Sequence, residues 1–221
     1  MSFSRYRIKM DSDLEHWLVF FNGEFLALPL PTQCSSQFRV LAVDGGLSCM
    51  EKYGLNADVF VGDMDSSRSD QIPEEALILP KEKDFLDGEA ALHFLEGMNP
   101  RRVDIYNFLQ GRWDMSICHI QSLPRFTSLA NRTHIHTESS EIIYCDLPLN
   151  KPAEKGQSFS LIPLEPMKSV TIRGTRYDIS EKDLRPGFGF SLSNEVAGEE
   201  VSIEFEGRTP YLLEFHDRGA I

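Results

Sequence analysis

The sequence predicts an α/β fold in two parts: a parallel sheet covered by helices in the N-terminal half, then an antiparallel β domain. Three observations carry this expectation. Up to about residue 130, short apolar runs of strand length alternate with helix-length segments, the pattern of β-α-β crossovers. Those early runs are continuously apolar rather than alternating, as strands buried on both faces must be. From Thr133 onward the helical period disappears, and short strand candidates follow one another between Pro, Gly, Asn and Asp, as in a sandwich or a barrel. The boundary falls between Thr127 and Glu138, giving domains of residues 1–132 and 133–221.

Taken in order, residues 17–21 (WLVFF) form the first strand and end at Asn22-Gly23. Residues 39–43 form the second and run into Asp44-Gly45-Gly46. A short helix over 48–53 is stopped by Gly54. Residues 59–61 make the third strand, ending at Gly62-Asp63, and 77–79 the fourth, ended by Pro80. Residues 87–95 have helical spacing, with Ala91, Leu92 and Leu95 on one stripe. A fifth strand at 103–106 and a helix at 116–123, closed by Pro124, complete this half. The second half offers strands at 142–144, 158–162, 169–172, 176–179, 201–205 and 211–215. Gly187-Phe188-Gly189 reads as a turn, and His134 and His136 read as exposed residues on one face of a strand.

Charge narrows the function. Twenty-two Lys and Arg against 34 Asp and Glu leave a net charge of −12. Such a surface repels phosphate backbones, which excludes nucleic acid as the expected partner. An anionic small substrate then needs a metal ion or a local cluster of donors. No apolar run approaches the roughly 20 residues of a membrane helix, so no membrane partner is expected. The N-terminus shows no signal-peptide core. Cys34, Cys49, Cys118 and Cys145 are scattered without a CxxC pair. That pattern is expected of reduced thiols in a cytoplasmic protein.

In an open parallel sheet, ligands bind beyond the carboxyl ends of the strands. The chemistry-bearing residues fall there: Asn22-Gly23-Glu24, Asp44-Gly45-Gly46 and Gly62-Asp63-Met64-Asp65-Ser66. Glycine lets backbone N–H groups approach phosphate oxygens. Asp63 and Asp65 are two apart, so an extended segment turns both carboxylates to one side. Magnesium takes such oxygen ligands together with phosphates and water. Asp84 and Asp87 follow in Lys83-Asp84-Phe85-Leu86-Asp87, and Gly111-Arg112-Trp113-Asp114 lies just after the fifth strand, where Arg112 can clamp a phosphate. Singly, each of these is also an ordinary turn or cap. Together they place many carboxylates where like charges repel without a cation. No GxxxxGK[ST], GxSxG or HExxH motif is present.

In this order the segments resemble the thiamine pyrophosphokinase family. The resemblance extends through Ser160-Leu161-Ile162-Pro163-Leu164, Gly174-Thr175-Arg176-Tyr177 and Ser193-Asn194, and covers residues 18–215. It implies an α/β nucleotide-binding domain followed by a β-sandwich, assembled as a homodimer with the thiamine site between subunits. It also implies transfer of the pyrophosphoryl group of ATP to the hydroxyl of thiamine, giving thiamine diphosphate and AMP. On this resemblance Mg²⁺ is held by Asp63, Asp65 and Asp87. Asp84 and Asp114 orient the metal shell and the attacking hydroxyl, Arg112 stabilises the transferring group, and Asn22, Asp44, Gly45, Gly46 and Ser66 meet ATP. Tyr177, Ser193 and Asn194 meet thiamine, although an aromatic residue in a strand, as Tyr177 is read here, is more often core. The chain departs from the family pattern at Leu86 (usually Thr), Met115 (His), His119 (Asn) and Gln110 (Gly). Those departures keep open another acceptor alcohol. A non-catalytic binder and an acidic interaction protein are the readings from other classes.

Overall fold

The computed structural model describes residues 16–24, 30, 38–63 and 72–216. Asp65, Ser66 and Cys34 lie outside the described residues. The strands are β1 (His16–Phe20), β2 (Arg39–Val43), β3 (Val59–Gly62), β4 (Glu75–Ile78), β5 (Arg102–Tyr106), β6 (Thr133–His136), β7 (Ser140–Cys145) and β8 (Leu149–Pro152). They continue with β9 (Ser158–Pro163), β10 (Met167–Arg173), β11 (Ile179–Leu184), β12 (Asn194–Glu195), β13 (Glu200–Glu206) and β14 (Tyr211–His216). The helices are α1 (Gly46–Met50), α2 (Asp87–Met98) and α3 (Trp113–Ser122).

A 10-stranded sheet runs β12-β9-β14-β7-β6-β5-β1-β2-β3-β4, and a 4-stranded sheet runs β11-β10-β13-β8. The segment from β6 to β4 is parallel throughout. β7 then pairs antiparallel with β6, and β14, β9 and β12 extend the sheet antiparallel. The expected α/β part and antiparallel sandwich are both present, and they share one sheet.

Helix α2 and the turns after α3 cover one face of that sheet. Ala90, Ala91, Leu92, Leu95, Leu123 and Phe126 pack there against Val19, Leu41, Val61, Val103, Ile105 and Ile135. On the other face, Leu47, Cys49 and Met50 of α1 pack against Leu18, Phe20, Ala42 and Phe60. Farther along, the smaller sheet closes a sandwich, with Val170, Ile172 and Ile203 against Cys145, Leu161 and Leu213.

Several expectations shift. Helix α1 begins at Gly46 rather than Ser48 and tightens into a 3₁₀ turn over Glu51–Tyr53. Strand β4 lies earlier than residues 77–79 because its register is set by pairing Glu75 with Val59. Helix α3 starts three residues early, at Trp113. Residues 176–178 are a turn, not a strand; β11 starts at Ile179. There Asp178 Oδ1 accepts from the Thr175 amide and hydroxyl, which closes a turn before the sheet can pair. Strands β8 and β12 were not visible in the sequence, being short and mostly exposed on one side.

The reading of His134 and His136 as exposed is also corrected. Registers place Asp104 opposite His134 and Tyr106 opposite His136. Arg102, Asp104, His134, His136 and Glu141 therefore share one face, between the α1 core and the sandwich core. Asp104 is fully buried. It accepts from His16 Nε2 at 2.5 Å, His136 Nε2 at 2.7 Å, and Arg102 Nε and Nη2 at 2.6 and 2.8 Å. Burial opposes its ionisation, yet the bonds from His136, His16 and Arg102 outweigh burial and hold its carboxyl far below the usual range. The bond from His134 Nδ1, at 2.8 Å, depresses Glu141 to about 2 against partial burial, with Lys151 assisting. This network ties β1, β5, β6, β7 and β8 where neither apolar core reaches.

Two outcomes follow from this network. Replacement Asp104→Asn leaves a buried cluster of donors without its counter-charge and is expected to cost about 3–5 kcal/mol in urea denaturation. Glu141 titrates lower folded than unfolded, so its contribution is complete above its ordinary pKa of 4.5 and is lost as the pH falls toward about 2. Stability measured across that window should fall more steeply in the wild type than in Glu141→Gln.

Candidate active site

The sheet bonding runs one residue beyond several strands and brings their exits together. Phe21 N donates to Tyr106 O (3.0 Å), Asp44 N to Val61 O (2.9 Å) and Leu79 N to Gly62 O (2.8 Å). The chain then passes so closely that side chains are excluded. A Cβ on Gly46 would lie 1.9 Å from the Phe20 carbonyl oxygen, and one on Gly45 would lie 2.6 Å from Asn22 Cγ. Asp44 itself adopts a left-handed backbone, φ 50°, which turns the chain from β2 into α1. Asn22, Asp44, Gly45, Gly46 and Asp63 thus converge on the carboxyl edge of the parallel strands.

Two residues that sequence reasoning missed help hold this edge. Asn107 Nδ2 donates to Phe21 O (3.3 Å) and contacts Cys49 Sγ at 2.9 Å, joining β5, β1 and α1. Gln110 Oε1 accepts from the Glu24 amide at 3.0 Å. An Asn just after a strand was the available signal for the first. Gln110 stood out in the sequence only as a departure from the family pattern, because its contact depends on the fold bringing Glu24 alongside.

A third missed residue sits at the centre. Lys83 Nζ lies 3.1 Å from Asp63 Oδ2 and 3.3 Å from Asp87 Oδ1, and its side chain is only 8% exposed. Asp63 comes from the exit of β3, and Asp87 opens α2, where the positive end of the helix dipole favours an anion. Burial raises the Asp87 carboxyl above its ordinary pKa. Lys83 opposes this, while the charges of Asp44 and Asp63 add to it. The site therefore holds more carboxylate than one ammonium neutralises.

A donor set of buried carboxylate oxygens suits Mg²⁺, which takes one or two protein carboxylates and completes its shell with water and phosphate. Asp63 and Asp87 fit that requirement. Among the described residues, no group of three His, Cys, Asp or Glu is positioned to hold a metal by itself.

Asp84 is exposed on the loop before α2. Arg112 and Asp114 stand at the start of α3, exposed and paired with each other at 2.6 Å rather than with the Lys83 group. Asp114 Oδ1 also accepts from the Met115 amide at 3.0 Å, and the Arg112 hydrogen bond holds its carboxyl below the usual range. The departures at Leu86 and His119 fall at a helix cap and in the core. Leu86 is the N-cap of α2 and makes no capping bond. His119 is buried, stacked on Phe108 at 4.8 Å and edge-on to Phe21. Burial pushes its pKa down, and its Nδ1 donates to the Phe108 carbonyl at 3.1 Å.

Tyr177, Ser193 and Asn194 form a second constellation. Asn194 is buried. Its Oδ1 accepts from the amides of Tyr177 (3.2 Å) and Glu195 (2.9 Å), and its Nδ2 donates to Tyr177 O (2.9 Å) and Thr175 Oγ1 (3.3 Å). It is thus committed to holding the turn between β10 and β11. Tyr177, placed in a strand by the sequence, instead stands at the tip of that turn and is 63% exposed rather than core. Ser193 has φ 52° and donates its amide to Ser160 Oγ at 3.0 Å. Asn194 lies in β12, at one edge of the large sheet, while Asp63 follows β3, next to the opposite edge. Eight strand steps at roughly 4.8 Å each separate them by about 38 Å along the sheet.

Two family models match the chain: the thiamin pyrophosphokinase catalytic domain over residues 32–136 and the thiamin pyrophosphokinase vitamin B1 binding domain over 143–209. Among solved structures, a thiamin pyrophosphokinase family protein from Enterococcus faecalis superposes with a TM-score of 0.78 at 21% identity, covering 92% of this chain and 99% of that one. Thiamine pyrophosphokinase from Bacillus subtilis gives 0.78 at 19%, with 92% and 99% covered. The Candida albicans thiamin pyrophosphokinase gives 0.75 at 15%, with 92% and 89% covered. These likenesses establish the fold. No curated protein matches the chain by sequence.

Replacement Gly46→Ala drives a methyl into a backbone carbonyl that cannot retreat, and should cost at least about 3 kcal/mol in denaturant unfolding. Replacement Leu86→Thr supplies the missing cap of α2 and should stabilise by about 1 kcal/mol, read as a raised melting temperature.

Proposed function

The chain belongs to the thiamin pyrophosphokinase family, and from that premise we propose that it transfers the pyrophosphoryl group of ATP to the hydroxyethyl oxygen of thiamine, giving thiamine diphosphate and AMP. The observation that carries this reading is the convergence of Asp63 and Asp87 on one ammonium at the carboxyl edge of the parallel strands, with Asp44 close enough to raise the Asp87 carboxyl. Pyrophosphoryl transfer is mostly positioning and charge neutralisation, and this edge supplies both.

Asp63 and Asp87, with Asp65, would hold Mg²⁺, which when bound neutralises the phosphates and fixes their orientation. Gly45 and Gly46 let the backbone approach the nucleotide, and Asn22, Asp44 and Ser66 border it. Arg112 takes charge on the transferring group. Asp114 is already committed to Arg112 and the Met115 amide, so Asp84 is the better carboxylate to orient the thiamine hydroxyl and accept its proton.

Tyr177, Ser193 and Asn194 are the thiamine contacts of this reading. Their separation from Asp63 within one chain means that a second copy must bring its Tyr177 turn to the first copy's metal edge. A homodimer with thiamine between subunits meets that requirement. The exposed Phe188, Phe190 and Leu192, on the segment leading into Asn194, suit such a contact. The departure at His119 is taken up by core packing, whereas Leu86 leaves the α2 N-cap without a side-chain bond. We place the reaction in the cytoplasm, where Cys49, Cys118 and Cys145 would remain the free thiols they are here.

Purified protein with ATP, Mg²⁺ and thiamine should yield thiamine diphosphate and AMP in equal amounts. Asp63→Asn should lower the rate by about 10³-fold, as expected for loss of a main electrostatic support. AMP absent with thiamine, while ATP still binds, would sink the assignment of thiamine as acceptor.

A further inference from the structure

Lys83 is the least expected feature of the carboxyl edge. A lysine is rarely this buried unless paired, and here the ammonium is shared between the two carboxylates that the proposed function gives to the cation. We infer that Lys83 is a built-in counter-ion that competes with the divalent cation, so that the cation enters together with the nucleotide rather than alone. This inference rests on the reading of Asp63 and Asp87 as metal ligands.

The argument is one of charge and space. Asp63 and Asp87 reach the cluster from separate elements, and Lys83 bridges them, 20 residues after Asp63 and four before Asp87. A divalent ion bound directly to both carboxylates would sit about 2.1 Å from each oxygen. The ammonium already contacts one oxygen of each, and a unit charge beside a double charge in this confined place is repelled. Lys83 must therefore leave at least one carboxylate.

Without nucleotide, an ammonium displaced from either carboxylate gives up a charge-assisted contact, and a buried charge that loses its partner is costly. With nucleotide present, phosphate oxygens offer new acceptors, and Lys is an established type of phosphate ligand. Cation and nucleotide then bind cooperatively through Lys83, each raising the affinity for the other by the same factor. The device keeps the carboxylates neutralised and in place until the proper pair of ligands arrives.

The test is Mn²⁺ binding by calorimetry, alone and with the non-cleavable α,β-methylene-ATP. In Lys83→Met, Mn²⁺ alone should bind about tenfold tighter than in the wild type, and the gain from adding the analogue should shrink by the same factor. Lys83→Gln, which keeps a hydrogen-bond donor without the charge, should behave alike and serves if Lys83→Met does not fold. Equal Mn²⁺ affinity in the wild type and the folded Lys83 variants, with binding lost on Asp63→Asn, overturns the role of Lys83 and leaves the metal reading standing. Unchanged Mn²⁺ affinity when Asp63→Asn is added to the Lys83 variant overturns both.

Discussion

The fold depends on β6 pairing parallel to β5 on one edge and antiparallel to β7 on the other. This single strand lets a parallel α/β sheet continue, hydrogen bond by hydrogen bond, into half of a β-sandwich. Between the α1 core and the sandwich core, His16, Arg102, Asp104, His134, His136 and Glu141 share one face of β1, β5, β6 and β7. The Asp104 network holds this face together with ion pairs and ring N–H donors. A buried carboxylate surrounded by that many donors is costly to assemble and more costly to break, which makes the junction specific in register.

The same sheet geometry creates the reactive edge. Parallel strands of similar length end together, so their exits crowd on one side. Gly46 against Phe20 and Gly45 against Asn22 are the consequence, because close backbone approach leaves no space for a Cβ. Lys83 bridges the carboxylates of Asp63 and Asp87 that follow, and its one ammonium leaves this edge with net negative charge.

The distance between the two constellations gives the second domain its meaning. Asn194 uses its side chain to hold the turn that carries Tyr177. It acts by holding an aromatic side chain out into solvent, far from the acidic edge of its own chain. The exposed aromatic turn and the acidic cluster thus lie toward opposite edges of the large sheet.

Local pattern in the sequence determined much of this. Apolar runs ending in Asn-Gly, Asp-Gly-Gly and Gly-Asp located β1, β2 and β3 and the edge where the charged residues gather, since burial on both faces demands continuous apolar strands and tight exits demand glycine. The spacing of Ala91, Leu92 and Leu95 located α2 for the same kind of reason. Tertiary structure alone decided what long-range pairing controls: the single shared sheet, the burial of His134 and His136 around Asp104, the turn where a strand was expected at 176–178, and the place of Lys83 between two carboxylates. None of these has a local signature, because a charged side chain reads the same in sequence whether it faces water or a partner brought from a distant part of the chain.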